Sequence, residues 1–254
     1  MKKITILILL LLFTSVIYSQ KRSKKRGSVV KWLSLELKGG YGNSILLNTA
    51  PILDENVTVD FINTAYSYGG RFGITYGNNL SLSLEALSSA FSQNYDINDE
   101  TNVYLKTQEF KSLDILALIR YTSDYGFYFE AGPKFSTLKS ASVKNSEIFN
   151  FTNENNYIDN FSEKYTSIAA GMGFAIFRTD RLNVNLGLRG SYAITDFIKN
   201  ADFYALNDGV YRPDISSGTT PTNHLSVKFM LGINYFFGFW GDASCGRGRI
   251  MFFQ

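Results

Sequence analysis

The stretch RLNVNLGLRGSYAI, Arg181 to Ile194, alternates almost without a break. Leu182, Val184, Leu186 and Leu188 fall on one face of an extended chain, and Asn183, Asn185, Gly187 and Arg189 fall on the other. Period two is the repeat of a strand with one apolar face, and it argues against an amphipathic helix here. A chain made of such strands has two places to put its apolar faces: a dry core or lipid. Which of the two applies decides what kind of protein this is.

The same alternation recurs eight times, over roughly 32–41, 65–76, 79–91, 107–121, 126–138, 162–177, 182–197 and 222–239. In the third segment Leu80, Leu82, Leu84 and Ala86 oppose Ser81, Ser83 and Glu85. In the last, Leu225, Val227, Phe229, Leu231, Ile233, Tyr235 and Phe237 oppose Ser226, Lys228, Gly232 and Asn234. No helical periodicity and no domain boundary interrupts them.

The connections alternate between short and long. Gly77-Asn78, Thr122 to Tyr125 and Arg178 to Arg181 are short; 42–64, 92–106, 139–161 and 198–221 are long and rich in Asn, Asp, Ser and Thr. An even number of strands with short turns at one end and long loops at the other is the plan of an outer-membrane barrel. The fold expected is therefore all-β: an eight-stranded antiparallel up-and-down transmembrane β-barrel. Both termini would leave from the short-turn, periplasmic end.

The less apolar face carries the ionisable side chains: Glu36, Lys38, Arg71, Glu85, Asp114, Arg120, Glu130, Lys134, Arg189 and Lys228. A soluble barrel would turn such a face to water. Here the apolar faces run for about ten residues and end in aromatics, as membrane strands do. Tyr76, Tyr121, Phe127, Phe237 and Trp240 mark the short-turn ends; Tyr41, Tyr66, Phe135 and Tyr192 mark the other. The charges then face a lumen just wide enough for side chains. They are expected to pair across it, because an unpaired buried charge is costly. Counted from the short turns, Glu36, Arg71, Glu85, Arg120 and Glu130 form a lower layer. Lys38, Asp114, Lys134, Arg189 and Lys228 form an upper one. A non-conducting polar plug is the expectation, with a narrow pore for small solutes as the alternative. Pro133 falls mid-strand, where a β-bulge would accommodate it.

The first twenty residues, MKKITILILLLLFTSVIYSQ, read as a secretory signal peptide (1–19), with cleavage expected after Ser19. A basic periplasmic leader (20–31), the barrel (32–240) and a periplasmic C-terminal tail (241–254) complete the division. Of the net charge of +3, Lys2 and Lys3 contribute two, and the five cations of KRSKKR leave the remainder at −4. Basicity confined to one run does not suggest a nucleic-acid binder. One His and one Cys cannot assemble the usual zinc sets, and no phosphate-binding or nucleophile-elbow motif is present. No metal, cofactor or catalytic residue is expected.

A signal peptide ending in Ser-Gln, eight alternating strands, Phe127-x-Phe-Glu-Ala-Gly-Pro-Lys134 and a closing Leu231-Gly-Ile-Asn-Tyr-Phe-Phe237 resemble the PorT-like outer-membrane β-barrel proteins. The architecture is similar to the transmembrane domain of OmpA. The resemblance implies a bacterial outer-membrane location and insertion by the barrel assembly machinery, with the last strand as its signal. It does not by itself carry over a role in type IX secretion. The ending departs from the pattern: barrels of this kind stop near the last aromatic, whereas GDASCGRGRIMFFQ follows here.

That tail is the first candidate contact site. Cys245, Ile250, Met251, Phe252 and Phe253 could dock on a periplasmic or outer-membrane protein partner, or pack back under the barrel. The other reading is a solvated overhang. Outer-membrane lipid is the remaining partner expected, and oligomeric state stays open. Tyr157, Tyr204 and Tyr211 could contact an external ligand from the long loops. His224 and Ser226 share a face two residues apart, the spacing of a His-Ser pair in a lipid hydrolase. The hydrolase reading is the weakest, because the nearest carboxylate, Asp196, points the other way by alternation. The function expected is a non-enzymatic structural or accessory component, acting through protein contacts at loops and tail.

Overall fold

The computed structural model describes residues 30–77, 79–98, 103–145, 155–156, 158–179, 181–199, 221–242 and 249–253. The expected signal peptide, the basic run at 21–26, Cys245, Tyr157, Tyr204 and Tyr211 lie outside the described residues. Eight long strands form the molecule: β1 Val30–Leu47, β2 Thr64–Tyr76, β3 Leu80–Asn98, β4 Val103–Thr122, β5 Phe127–Asn145, β6 Lys164–Arg178, β7 Leu182–Ala193 and β8 Asn223–Asp242. Each pairs antiparallel with its neighbour in sequence. The ring closes where β1 pairs with β8, from Trp32 opposite Phe239 to Leu47 opposite Asn223. Closure leaves no free sheet edge around the ring, as a wall in hydrocarbon requires.

Two of the short turns rest on glycine. Gly77 and Gly126 take φ of +61° and +91°, a region that side chains disfavour. Thr179 closes the third: its backbone N–H donates to Leu182 O and its hydroxyl accepts from Leu182 N at 2.9 Å. The first and last strands both meet the wall at this short-turn end, where Val30 pairs with Tyr76.

The outer wall is apolar. Leu37 is 72% exposed, and Leu84, Ile119, Phe129, Ile168 and Leu231 stand out beside it. Leu186 and Leu188, from the alternating stretch that opened the sequence, belong to this wall. Tyr121 and Phe127 lie exposed toward the short turns; Tyr41, Tyr66, Phe135 and Tyr192 lie exposed toward the loops.

Three features differ from the sequence reading. First, β3, β4 and β5 run to 19, 20 and 19 residues, so the expected loop 92–106 shrinks to the few residues between Asn98 and Val103. About ten residues suffice to cross a membrane, so half of this hairpin stands clear of the apolar wall. Second, Pro133 sits without a bulge. The register sum is the same on both sides of it, and the ladder to β4 simply lapses opposite Ala117 and Leu118. The bulge lies further up, at Lys111/Ser112. Third, the tail returns to the sheet. Arg249–Phe253 forms a strand antiparallel to Gly238–Asp242 of β8, with Phe239 opposite Phe252. It occupies the edge of β8 that β7 vacates below Leu182. Short pieces finish the loop end: a five-residue helix, Thr49–Leu53, and Val57–Val59, which pairs with Tyr95–Ile97 of β3.

Candidate functional site

The lumen holds the chemistry, and its mid-section is an ionic plug. Inward alternation brings Glu36 and Lys38 of β1, Arg71 of β2, Glu85 of β3, Arg120 of β4, Glu130 of β5 and Arg189 of β7 into one network. All seven are buried. Glu85 is the hub, only 1% exposed. Its carboxylate accepts from Lys38 Nζ at 2.7 Å and from Arg189 Nη1 at 2.6 Å, with Arg71 Nε at 3.8 Å. Glu130 takes Arg120 Nη2 at 2.6 Å, Lys38 Nζ at 3.7 Å and a close contact from Arg189 Nη2. Glu36 takes Arg71 Nη1 at 2.7 Å and Arg120 Nη1 at 3.7 Å, and Asn185 Nδ2 donates to it at 3.2 Å. Bridges from six of the eight strands thus meet in the middle. Gly232, across from Lys38 on β8, leaves the space that the Glu36 carboxylate fills; a Cβ there would collide with it.

The two-layer division read from the sequence does not hold as drawn. Lys38 and Arg189 belong with the lower carboxylates, not with the upper group. Arg189 and Glu130 both stand opposite Gly171 of β6, so the strand register itself brings them together, and the flexible Lys38 side chain reaches Glu85 and Glu130. The upper group reduces to Asp114, Lys134 and Lys228. Asp114 accepts from Lys134 Nζ at 3.0 Å and from the Ser89 and Ser112 hydroxyls at 2.6 and 3.1 Å.

Above this level the lumen changes character. Phe91, Phe110, Phe161, Tyr165 and Phe197 form one buried aromatic cluster. Phe91 stacks on Phe110 with ring centroids 4.9 Å apart, and Phe197 stands edge-on to Phe110 at 5.1 Å. Leu46, Val57, Val59, Ile97 and Leu138 extend the cluster into a core of its own. Each such side chain contributes about 1.5–3 kcal/mol when fully buried. The loops are tied over it. Asp196 Oδ1 accepts from Ile198 N and Thr222 N at 3.0 Å, and Gln93 Oε1 accepts from Leu46 N at 2.9 Å. The sequence reading missed this cap, although Phe91, Tyr95 and Ile97 carry its signal in their alternation.

His224 lies inside the cap. It stacks on Phe91 at 4.1 Å, and its Nε2 is 2.8 Å from Ser44 Oγ. Ser226 instead pairs with the Ser191 hydroxyl at 2.8 Å. Among the described residues His224 Nδ1 has no partner, and Asp196 is occupied with backbone amides. The expected His224–Ser226 arrangement is therefore not assembled among the described residues: Ser226 and Asp196 are each turned to other partners. The spacing would let the two side chains lean together, but His224 is held by Ser44 and Ser226 by Ser191.

At the short-turn end a polar vestibule of about 270 Å³ opens below the plug, with Arg71 and Arg120 at its inner end and Trp32, Arg178, Asn183 and Asn234 among its lining. Among the described residues no cluster of His, Cys, Asp or Glu could hold a metal ion.

No protein-family signature matches the chain, and no curated protein matches it by sequence. Solved structures do resemble it. The outer membrane protein OprG from Pseudomonas aeruginosa is 14% identical with a TM-score of 0.42, covering 82% of this chain and 97% of that one. Ail, the attachment invasion locus protein of Yersinia pestis, is 12% identical with a TM-score of 0.38, over 82% of this chain and 99% of that one. The N-terminal β-barrel domain of OprF from Pseudomonas aeruginosa is 14% identical with a TM-score of 0.32, over 83% and 100%. The barrel itself rests on the strand register, independently of these likenesses.

Proposed function

We propose that the protein is a sealed, non-enzymatic β-barrel of the bacterial outer membrane that serves as an anchored platform, making protein contacts at its two ends. The observation that carries this reading is the inverted polarity of the wall. Exposed leucines and phenylalanines ring the outside, while glutamates and arginines are buried within. Water on the outside would reverse that order. The doubly filled lumen argues against the narrow-pore alternative. With the lumen filled and no catalytic group assembled among the described residues, what remains available is surface: the loop end, the short turns and the added strand Arg249–Phe253. The resemblance to PorT-like barrels supports an accessory role in an envelope complex.

The test is co-purification from native outer membranes in mild detergent, comparing the full chain with one ending at Asp242. A stoichiometric partner that is lost with the last strand supports the platform reading. Two equally isolated barrels would refute a contact through the tail.

A further inference from the structure

Between the ionic plug and the aromatic cap lies a small chamber with an unbalanced charge. Lys228 projects into the lumen from β8 and is 8% exposed. Among the described residues it makes no ion pair within 4.0 Å and no hydrogen bond, whereas Lys38, Arg71, Arg120, Lys134 and Arg189 are all paired. Asp114 is the carboxylate that lines the chamber, and it is already taken. Its Oδ2 accepts from Lys134 and Ser89, and its Oδ1 from Ser112. The chamber group of Asp114, Lys134 and Lys228 therefore carries a surplus positive charge. An isolated buried ammonium is strongly disfavoured unless something of opposite charge meets it.

The space beside Lys228 is specific. The chamber has about 20 Å³ of room; apolar Leu87, Leu116 and Met230 line it together with polar groups that include Lys228, Ser191 and Ser226. One water-sized sphere needs about 10–15 Å³ by this measure, so a single atom-sized guest fits, whereas a phosphate or a carboxylate does not. Hydroxyl donors are at hand. Ser191 and Ser226 share one hydrogen between them, which leaves the second hydroxyl hydrogen free to donate. A water could occupy the space but would leave the charge uncompensated.

We propose that the chamber holds one monatomic anion, a halide, bound by the Lys228 ammonium and a hydroxyl of the Ser191–Ser226 pair. The ion is the missing counter-charge of the upper lumen. A ligand that binds the folded state alone raises stability with the logarithm of its concentration.

The full chain, folded in a non-ionic detergent, is unfolded by urea in chloride and in gluconate at equal ionic strength. The unfolding midpoint should climb with log chloride, and with log bromide, but not with gluconate. Lys228→Met should abolish that dependence, while the exposed Lys139→Met keeps it. A midpoint indifferent to halide, or a Lys228→Met variant that keeps the dependence, would overturn the proposal and indicate a neutral lysine beside water. Should Lys228→Met fail to fold, as judged by loss of its gel shift on boiling, the double variant Ser191→Ala/Ser226→Ala decides. It should weaken the apparent halide affinity at least threefold, and an unchanged affinity would refute the site. Crystals grown in bromide should show an anomalous peak within hydrogen-bonding distance of Lys228 Nζ; an empty chamber would refute it equally.

Discussion

The lumen is filled twice, and the two fillings work by opposite physics. The plug around Glu85 is directional and polar, held by ion pairs that cross the barrel from strand to strand. The cap around Phe110 and Phe197 is a dry aromatic core held by packing. A plug of charges makes each member depend on the others, because one lost carboxylate strands several buried cations. A core of rings tolerates loss more locally, with a cost set by the cavity left behind. The difference follows height along the barrel. At the level of the apolar wall the inside must take the polar residues, since the outside cannot. Beyond that level water returns to the outside, and the strands are free to bury apolar side chains inward.

Substitutions can break this comparison one seal at a time. The largest effect is expected at the hub. Glu85→Ala leaves Lys38, Arg71 and Arg189 without their shared partner and should cost about 3–5 kcal/mol or prevent folding, read by urea unfolding and by the boiling-dependent gel shift. Phe197→Ala should cost about 3 kcal/mol or somewhat more, but locally. The barrel should keep its gel shift while the loop end loses protection from protease, and loss of the gel shift would show that cap and plug form one cooperative unit. Gly232→Ala drives a methyl into the Glu36 carboxylate and should cost about 1–3 kcal/mol, measured by the same unfolding midpoint. The smallest effect is expected outside both seals. Lys144 and Glu109 pair at 2.9 Å on the exposed face of the outer hairpin, and Lys144→Ala should change stability by less than about 1 kcal/mol. Equal costs for Glu85→Ala and Lys144→Ala would contradict the distinction between lumen and surface.

The sequence made the barrel legible because its signal is simple. Alternation over Leu80 to Ala86 or Leu182 to Leu188 names both faces of a strand at once, and the short-long rhythm of connections orders the strands. The lumen residues were legible for the same reason: each charge sits on the opposite face from a leucine. The pairing was less so. Period two gives the face of Lys38 and Arg189, but not the strand register that sets Arg189 level with Glu130, nor how far the flexible Lys38 side chain reaches. The cap was missed because the alternation changes phase. In β3 the apolar residues point outward through Ala86, then inward at Leu87, Phe91, Tyr95 and Ile97. Seen along the sequence, that switch looks like the end of a strand, although the backbone continues unbroken. Asn94 and Asp96 on the outward face look like loop residues and are the water-facing side of the same strand. Pro133 misled in a milder way, because a missing donor needs a gap in the ladder and not an extra residue. The strand Arg249–Phe253 was not foreseen as sheet, since its partner edge exists only where β7 falls short of the full length of β8.

The central claim is that the barrel is closed by two independent seals, and single-channel recording in planar bilayers addresses it directly. Wild-type protein should give no discrete conductance steps. Glu85→Ala/Arg189→Ala, which opens the plug alone, should stay silent, as should Phe197→Ala, which loosens the cap alone. The combined triple variant should conduct if it folds. Regular conductance steps from the wild-type chain would contradict the account, and so would steps from either single-seal variant that equal those of the triple.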